Sequence, residues 1–190
     1  MKFRYGIAAI FAFVLLMPAA PARADVVLTP FVGSLFGGDL PNSKASYGAS
    51  AAFMGAGIIG AEVMFNYTPS FVPRTLTTPQ VSQAGLMGNL IVGIPMGGDS
   101  GRSVRPYVTG GAGLFRATAR QSDFLDRVSS NDFAVNFGGG VMGFFSDHVG
   151  LRGDLRYFRT LRDDNSGSGV DLDLGDLNFW KWDIGAAFRF

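Results

Sequence analysis

Side chains of a β-strand point alternately to two faces, and residues 180–190 keep that period of two without a break. The even positions are Trp180, Trp182, Ile184, Ala186, Phe188 and Phe190, and the odd ones are Lys181, Asp183, Gly185, Ala187 and Arg189. One face is wholly apolar and the other polar or small. Residues 59–67 repeat the pattern, with Ile59, Ala61, Val63, Phe65 and Tyr67 opposing Gly60, Glu62, Met64 and Asn66. Residues 133–145 carry Phe133, Val135, Phe137, Val141 and Phe145 on one face around a Gly138-Gly139-Gly140 run. In residues 151–157, Leu151, Leu155 and Tyr157 oppose Arg152, Asp154 and Arg156. Weaker alternation marks residues 26–36, 45–55, 81–95 and 105–119, so the pattern predicts eight strands.

A soluble sandwich could bury such apolar faces, but it gives no reason for their aromatic residues to gather at the two ends. A strand facing lipid does, because aromatic girdles sit at the two membrane interfaces. The predicted girdle comprises Phe65, Tyr67, Phe133, Phe145, Tyr157, Trp180 and Trp182. The charged residues then face a lumen: Glu62, Arg152, Asp154, Arg156, Lys181, Asp183 and Arg189, four positive and three negative. Each would cost about 2 to 4 kcal/mol on the lipid side. An eight-stranded barrel is only wide enough inside for its own side chains. The charges are therefore expected to pair and plug it, with Arg156 against Asp183 on adjacent antiparallel strands as the preferred pair.

Connection lengths point the same way. The gaps at about 37–45, 69–81, 119–131 and 162–178 look long, those around 55–57 and 146–148 tight, and the one at 96–103 intermediate. Alternating long loops and short turns predict an up-and-down barrel with its loops outside the cell and its turns in the periplasm. An even strand number puts both termini on the periplasmic side.

Composition changes the picture mainly at the N-terminus. Lys2 and Arg4, the apolar residues 6–17 and Ala22-Arg23-Ala24 match a cleavable signal peptide, so residues 1–24 are expected to be removed and 25–190 to form one barrel domain. Removing Lys2, Arg4 and Arg23 leaves 13 of 16 basic residues against 15 acidic ones, so the charge falls from +1 to −2 and a nucleic-acid partner is not expected. No other segment is apolar for the roughly 20 residues a membrane helix needs. With no cysteine, the chain has no disulfide framework, thiolate metal site or cysteine nucleophile.

The segment from Arg105 to Gly113 (RPYVTGGAG), residues 137–157 (FGGGVMGFFSDHVGLRGDLRY) and the aromatic C-terminus resemble the small outer-membrane β-barrel proteins of Gram-negative bacteria, the OmpA-like and OmpX-like group also called porin-family or opacity-type. The resemblance covers essentially the whole mature chain. It implies an all-β fold: an eight-stranded antiparallel up-and-down transmembrane β-barrel in the outer membrane. It further implies contact with outer-membrane lipid and lipopolysaccharide, and recognition of Ile184, Phe188 and Phe190 by the barrel-assembly machinery. The expected role is non-enzymatic and free of cofactors: envelope integrity, or contact with an extracellular partner through four loops. A narrow passive channel is the first alternative, an outer-leaflet lipid-modifying enzyme the second, and a soluble lipocalin-type barrel with inverted faces the third.

Candidate chemistry is thin. His148 is the only histidine, and Ser146-Asp147-His148 are consecutive in a tight turn, where side chains diverge and serine and aspartate serve the turn itself. The clusters Gly110-Gly111-Ala112-Gly113 and Gly138-Gly139-Gly140 lack the following helix that a phosphate loop needs, and are expected to ease bending and make room for bulky neighbours. Asp163, Asp164, Asn165, Asp171, Asp173 and Asp176 crowd the last loop without the closing glutamate of an EF-hand, so a solvated acidic loop is expected there. Asn66-Tyr67-Thr68 matches a glycosylation sequon by chance.

Overall fold

The computed structural model describes residues 24–40, 42–55, 57–72, 80–97, 102–120, 128–161 and 177–190. Eight strands run in chain order: β1 (Ala24–Phe36), β2 (Lys44–Gly55), β3 (Ile59–Val72), β4 (Gln80–Gly93), β5 (Ser103–Arg120), β6 (Val128–Phe144), β7 (Val149–Leu161) and β8 (Asn178–Arg189). Each pairs antiparallel with the next, and β8 closes on β1 to make a barrel. The start of β1 and the end of β8 lie at the end of the short turns, called here the turn end; the opposite rim is the loop end. The signal-peptide segment and the acidic cluster at 163–176 lie outside the described residues, apart from Ala24, which opens β1.

The pairing register sets the shape. In-register steps lead from Ala24 through Gly55, Ile59, Val92, Val108, Gly139, Leu155 and Trp182 back to β1 at Ser34. The path returns ten residues further on, a shear of ten for eight strands. Ten rises of about 3.3 Å against eight spacings of about 4.8 Å give a strand tilt of about 41° and a wall radius of about 8 Å. Strands of 12 to 18 residues exceed the 9 to 11 or so that a tilted strand needs to cross a bilayer.

Alternation decides the faces, as in residues 180–190, where Trp180, Trp182, Ile184 and Phe188 lie on the exposed outer wall and Lys181, Asp183, Ala187 and Arg189 are buried inside. Exposed aliphatics such as Val32, Val63, Leu90, Val108, Val141 and Ile184 form a belt around the barrel. Toward the loop end aromatic pairs ring it: Tyr47 with Tyr67 at 5.5 Å, Phe137 with Tyr157 at 5.4 Å, and Tyr157 with Trp180 at 5.3 Å between ring centres. Phe53, Phe145, Phe188 and Phe190 are exposed toward the turn end.

The connections differ from the expected alternation. Strand bounds leave seven residues at 37–43, 73–79 and 121–127, three at 56–58, nine at 94–102, four at 145–148 and sixteen at 162–177. The turn expected to be intermediate is thus longer than three of the four loops. The cause is strand extension: β3 to β6 continue into the polar stretches read as loop, and only the last connection is long. Gly57, at φ 67°, makes the three-residue turn possible.

Candidate functional site

Inward positions of all eight strands fill the lumen in three layers. The turn-end layer is apolar, with Val27, Ala52, Met54, Ile91, Tyr107, Met142, Phe144 and Ala187. The loop-end layer is also apolar and more aromatic: Phe158 and Phe179 stack at 5.3 Å with 10° between ring planes, Phe115 tilts against both, and Phe31, Leu35, Met64, Met87 and Ala134 complete it. Leu40 and Leu177 pack against this layer from the rim.

Between them lies a charged layer. Glu62 on β3 binds two arginines of β7: its Oε1 lies 2.6 Å from Arg152 Nη1, and its Oε2 accepts from Arg156 Nη2 at 2.9 Å. Asp154, between those arginines on β7, accepts from Arg152 Nε at 2.7 Å and from Arg156 Nη2 at 3.0 Å. Side chains alternate along β7, so residues 152, 154 and 156 share one face, two positive groups bracketing a negative one. Tyr107 of β5 donates its hydroxyl to Asp154 and accepts from Arg152 Nε at 2.8 Å. Asn136 of β6 donates to Asn89 of β4 at 2.7 Å, and Asn89 donates to Glu62 at 3.0 Å. Ser50 of β2 accepts from Arg152 at 3.2 Å. On β8, Lys181 donates to Asp183 at 2.7 Å, with its ammonium 4.4 Å from the ring centre of Phe31 on β1. Six ionised groups, three of each sign, are thereby withdrawn from water with partners on every wall.

The network needs room, and glycines provide it. A Cβ on Gly138 would lie 2.7 Å from Arg156 Cα and 3.0 Å from its Cγ, and one on Gly140 would lie 2.6 Å from the Tyr107 hydroxyl. The two glycines face inward beside the arginine and the tyrosine that could not otherwise fit.

Six of the seven charged residues expected in the lumen meet in this layer, and Arg189 does not. It is buried at the turn end, donating to the Asp147 carbonyl at 2.7 Å and stacking 4.4 Å above Phe144. The expected Arg156–Asp183 pair is a correction: Arg156 lies opposite Lys181, and Asp183 lies opposite Asp154. The register is two residues away from that expectation because Phe158 and Phe179 stack directly across from one another and set the β7–β8 alignment. Asp183 then takes Lys181 from its own strand, while Arg156 reaches across the lumen to Glu62.

Sequence reasoning missed Tyr107, Asn89, Asn136 and a second ion pair at the turn end, Arg105 Nη2 to Asp25 Oδ2 at 3.1 Å. Arg105 and Tyr107 alternate with Val104, Pro106 and Val108, a signal present in the chain but hidden by the glycines that follow. Of the expected assembly residues, Ile184, Phe188 and Phe190 are all exposed on the outer side. Of the expected girdle, Phe65, Phe133, Phe145, Trp180 and Trp182 are exposed and Tyr67 and Tyr157 half-buried. His148 is exposed in its turn, where the Ser146 hydroxyl accepts from the backbone N–H of His148 at 3.4 Å and of Val149 at 3.2 Å.

Known proteins share this architecture. Neisserial surface protein A (NspA) matches at a TM-score of 0.67 and 14% identity, over 88% of this chain and 99% of that one. The N-terminal β-barrel domain of Pseudomonas aeruginosa OprF matches at 0.57 and 16%, over 87% and 97%. Ail, the attachment invasion locus protein of Yersinia pestis, matches at 0.53 and 17%, over 88% and 98%. At these identities the likeness is one of fold. No curated protein matches the chain by sequence. The family model for the outer membrane protein beta-barrel domain matches residues 9–190. With the closed barrel, its apolar belt and its aromatic rings, that match makes the chain a member of the outer-membrane β-barrel family, placed in the outer membrane.

Proposed function

We propose that this chain is a closed, non-enzymatic barrel that serves the envelope as a structural element and presents its loop end to partners outside, rather than conducting solutes. The observation that carries this reading is the three-layer lumen. An ion crossing the lumen must pass a packed apolar layer on each side of a charge layer whose groups already neutralise one another, and at the turn end it meets the Arg105–Asp25 pair and Arg189 as well. Conduction needs sites that bind an ion and release it, and charges held in ion pairs with each other compete with any such site.

The surface part of the proposal is supported by the lengthening of β5 and β6, at 18 and 17 residues, toward the loop end, and by the sixteen-residue connection on the same rim. Two barrels of the same fold carry surface roles in their names, a surface protein and an attachment invasion locus protein. The proposed orientation has the loop end outward and both termini in the periplasm. Ile184, Phe188 and Phe190 form the proposed assembly signal on the outer face of the last strand, and the tyrosines and tryptophans above the belt the outer-leaflet girdle. A histidine-based lipid hydrolase is disfavoured, because the only histidine sits at the turn end beside a serine whose oxygen is spent on the turn.

The test is electrical. Purified barrel in a planar bilayer is expected to give a silent baseline across physiological voltages. Reproducible single-channel steps from the folded, heat-shifting species would overturn the closed-lumen reading in favour of the channel.

A further inference from the structure

Among the described residues, the buried cations of the lumen have carboxylate partners, with one exception at the turn end. Arg105, Arg152, Arg156 and Lys181 each lie within ion-pair distance of an acid. Arg189 is only 5% exposed and makes no ion pair with a described residue. Its Nε donates to the Asp147 carbonyl, its guanidinium stacks on Phe144, and its Nη1 has no hydrogen-bond partner. Asp147 itself is exposed, so water screens its charge. A second unpartnered group borders the same ring. Ser103 is 6% exposed, its hydroxyl has no partner, and it stands opposite Phe144 in the β5–β6 register. The guanidinium carbon of Arg189 lies 4.4 Å from the centre of that phenylalanine.

The surroundings leave this mouth positive. Arg105 is two residues from Ser103 on the same inward face of β5, and Asp25 is two residues from Val27, the register partner of Arg189 on β1. Asp25 thus stands near both arginines, and its Oδ2 is taken by Arg105 at 3.1 Å. Two buried guanidiniums share one carboxylate inside the mouth. A cation withdrawn from water without a counter-charge is costly, and an anion from solution relieves that cost. The stack on Phe144 occupies the face of the Arg189 guanidinium, which leaves its N–H edge to bind oxygen. Such an edge matches the oxygens of a small oxyanion, and a serine hydroxyl adds a neutral donor. Ala52, Ile91 and Met142 of the turn-end layer lie deeper in the lumen, so an anion held at the mouth goes no further.

We propose that Arg189 Nη1 and the Ser103 hydroxyl form a binding site at the turn-end mouth for one small oxyanion of the phosphate type, which supplies the counter-charge that Arg189 lacks among the described residues. In the proposed orientation this mouth opens to the periplasm. The binding itself does not rest on that orientation, and barrel folded in detergent micelles leaves both mouths open to solution. Phosphorus NMR of inorganic phosphate reads the binding directly: folded wild type is expected to broaden the phosphate line in chloride of constant ionic strength. Urea unfolding in the same micelles reads the linkage, and the folding equilibrium constant should rise with phosphate, approaching tenfold per tenfold above the dissociation constant. Arg189→Gln should lose the broadening and keep only the general stabilisation by an excluded salt. Phe158→Ala, destabilised in the opposite apolar layer, should keep both responses of wild type. Ser103→Ala should weaken phosphate binding by about threefold or more. No broadening by folded wild type, or an equal response from Arg189→Gln with its gel shift intact, would overturn the site. If Arg189→Gln fails to show the folded shift, Ser103→Ala decides, and unchanged phosphate affinity in that variant overturns the proposal.

Discussion

Glu62 is the negative hub of the charged layer, so replacing it by glutamine is the sharpest perturbation available. The shape is kept, as is an oxygen for the Asn89 amide, while the charge that faces both Arg152 and Arg156 is removed. The layer then passes from three positive and three negative groups to three against two, with Asp154 alone between two buried guanidiniums. Breaking a buried ion pair costs about 3 to 5 kcal/mol, because the surviving charge stays out of water without compensation. Here the loss is partial for each arginine but is felt by two, so about 3 kcal/mol or more is expected, over a hundredfold in the folding equilibrium. Removing Arg156 as well restores two against two. The double variant Glu62→Gln/Arg156→Gln should therefore lose well less stability than the sum of the two single losses, with a coupling of at least about 1.5 kcal/mol. Urea unfolding of barrels in lipid vesicles, followed by the fluorescence of Trp180 and Trp182, measures all four corners of the cycle. Additive losses, or a Glu62→Gln cost below about 1 kcal/mol, would refute the idea that mutual neutralisation holds this layer together.

Other substitutions probe the remaining layers by the same unfolding assay. Tyr107→Phe removes the hydroxyl that joins Asp154 to Arg152 and should cost about 1 to 3 kcal/mol while leaving the gel shift intact. Phe158→Ala opens the stack with Phe179 and should cost about 3 to 5 kcal/mol, yet the bilayer should stay silent because the charged and turn-end layers remain. Ile184→Arg places a cation in the apolar belt and should cost about 2 to 4 kcal/mol, read from the urea midpoint. Gly111→Ala should be poorly tolerated, since its Cβ would sit 2.1 Å from the Gly88 carbonyl oxygen, whereas Gly143→Ala meets nothing within 4 Å and should change stability by less than about 0.5 kcal/mol.

The outer wall was legible from the chain because lipid imposes one rule on every outward position. Ile59, Val63 and Phe65, or Trp182, Ile184 and Phe188, stand out against polar neighbours, and period two does the rest. The lumen obeys no such single rule. Residues 27–36 are apolar on both faces, with Val27, Phe31 and Leu35 inside and Leu28 and Val32 outside, so alternation alone cannot tell which set faces in. The two apolar layers of the plug were hidden for that reason, while the charges between them, costly anywhere else in the wall, were visible.

Partner choice among those charges depends on a quantity no single strand carries. Neighbours on one strand are easy to foresee: Arg152 with Asp154, or Lys181 with Asp183, are two residues apart on one face. Neighbours on adjacent strands need the register, which for β7 and β8 is set by the Phe158–Phe179 stack near a rim whose sequence reads as loop. Partners across the lumen need the shear as well. Glu62 and Arg156 are 94 residues apart in the chain and four strands apart in the wall, and they meet because a barrel only about 8 Å in radius lets two long side chains span its axis. A change in shear would displace every such pair while leaving the outer wall almost as apolar as before. Side-chain pairing in the lumen therefore fixes the geometry more tightly than the lipid-facing surface does.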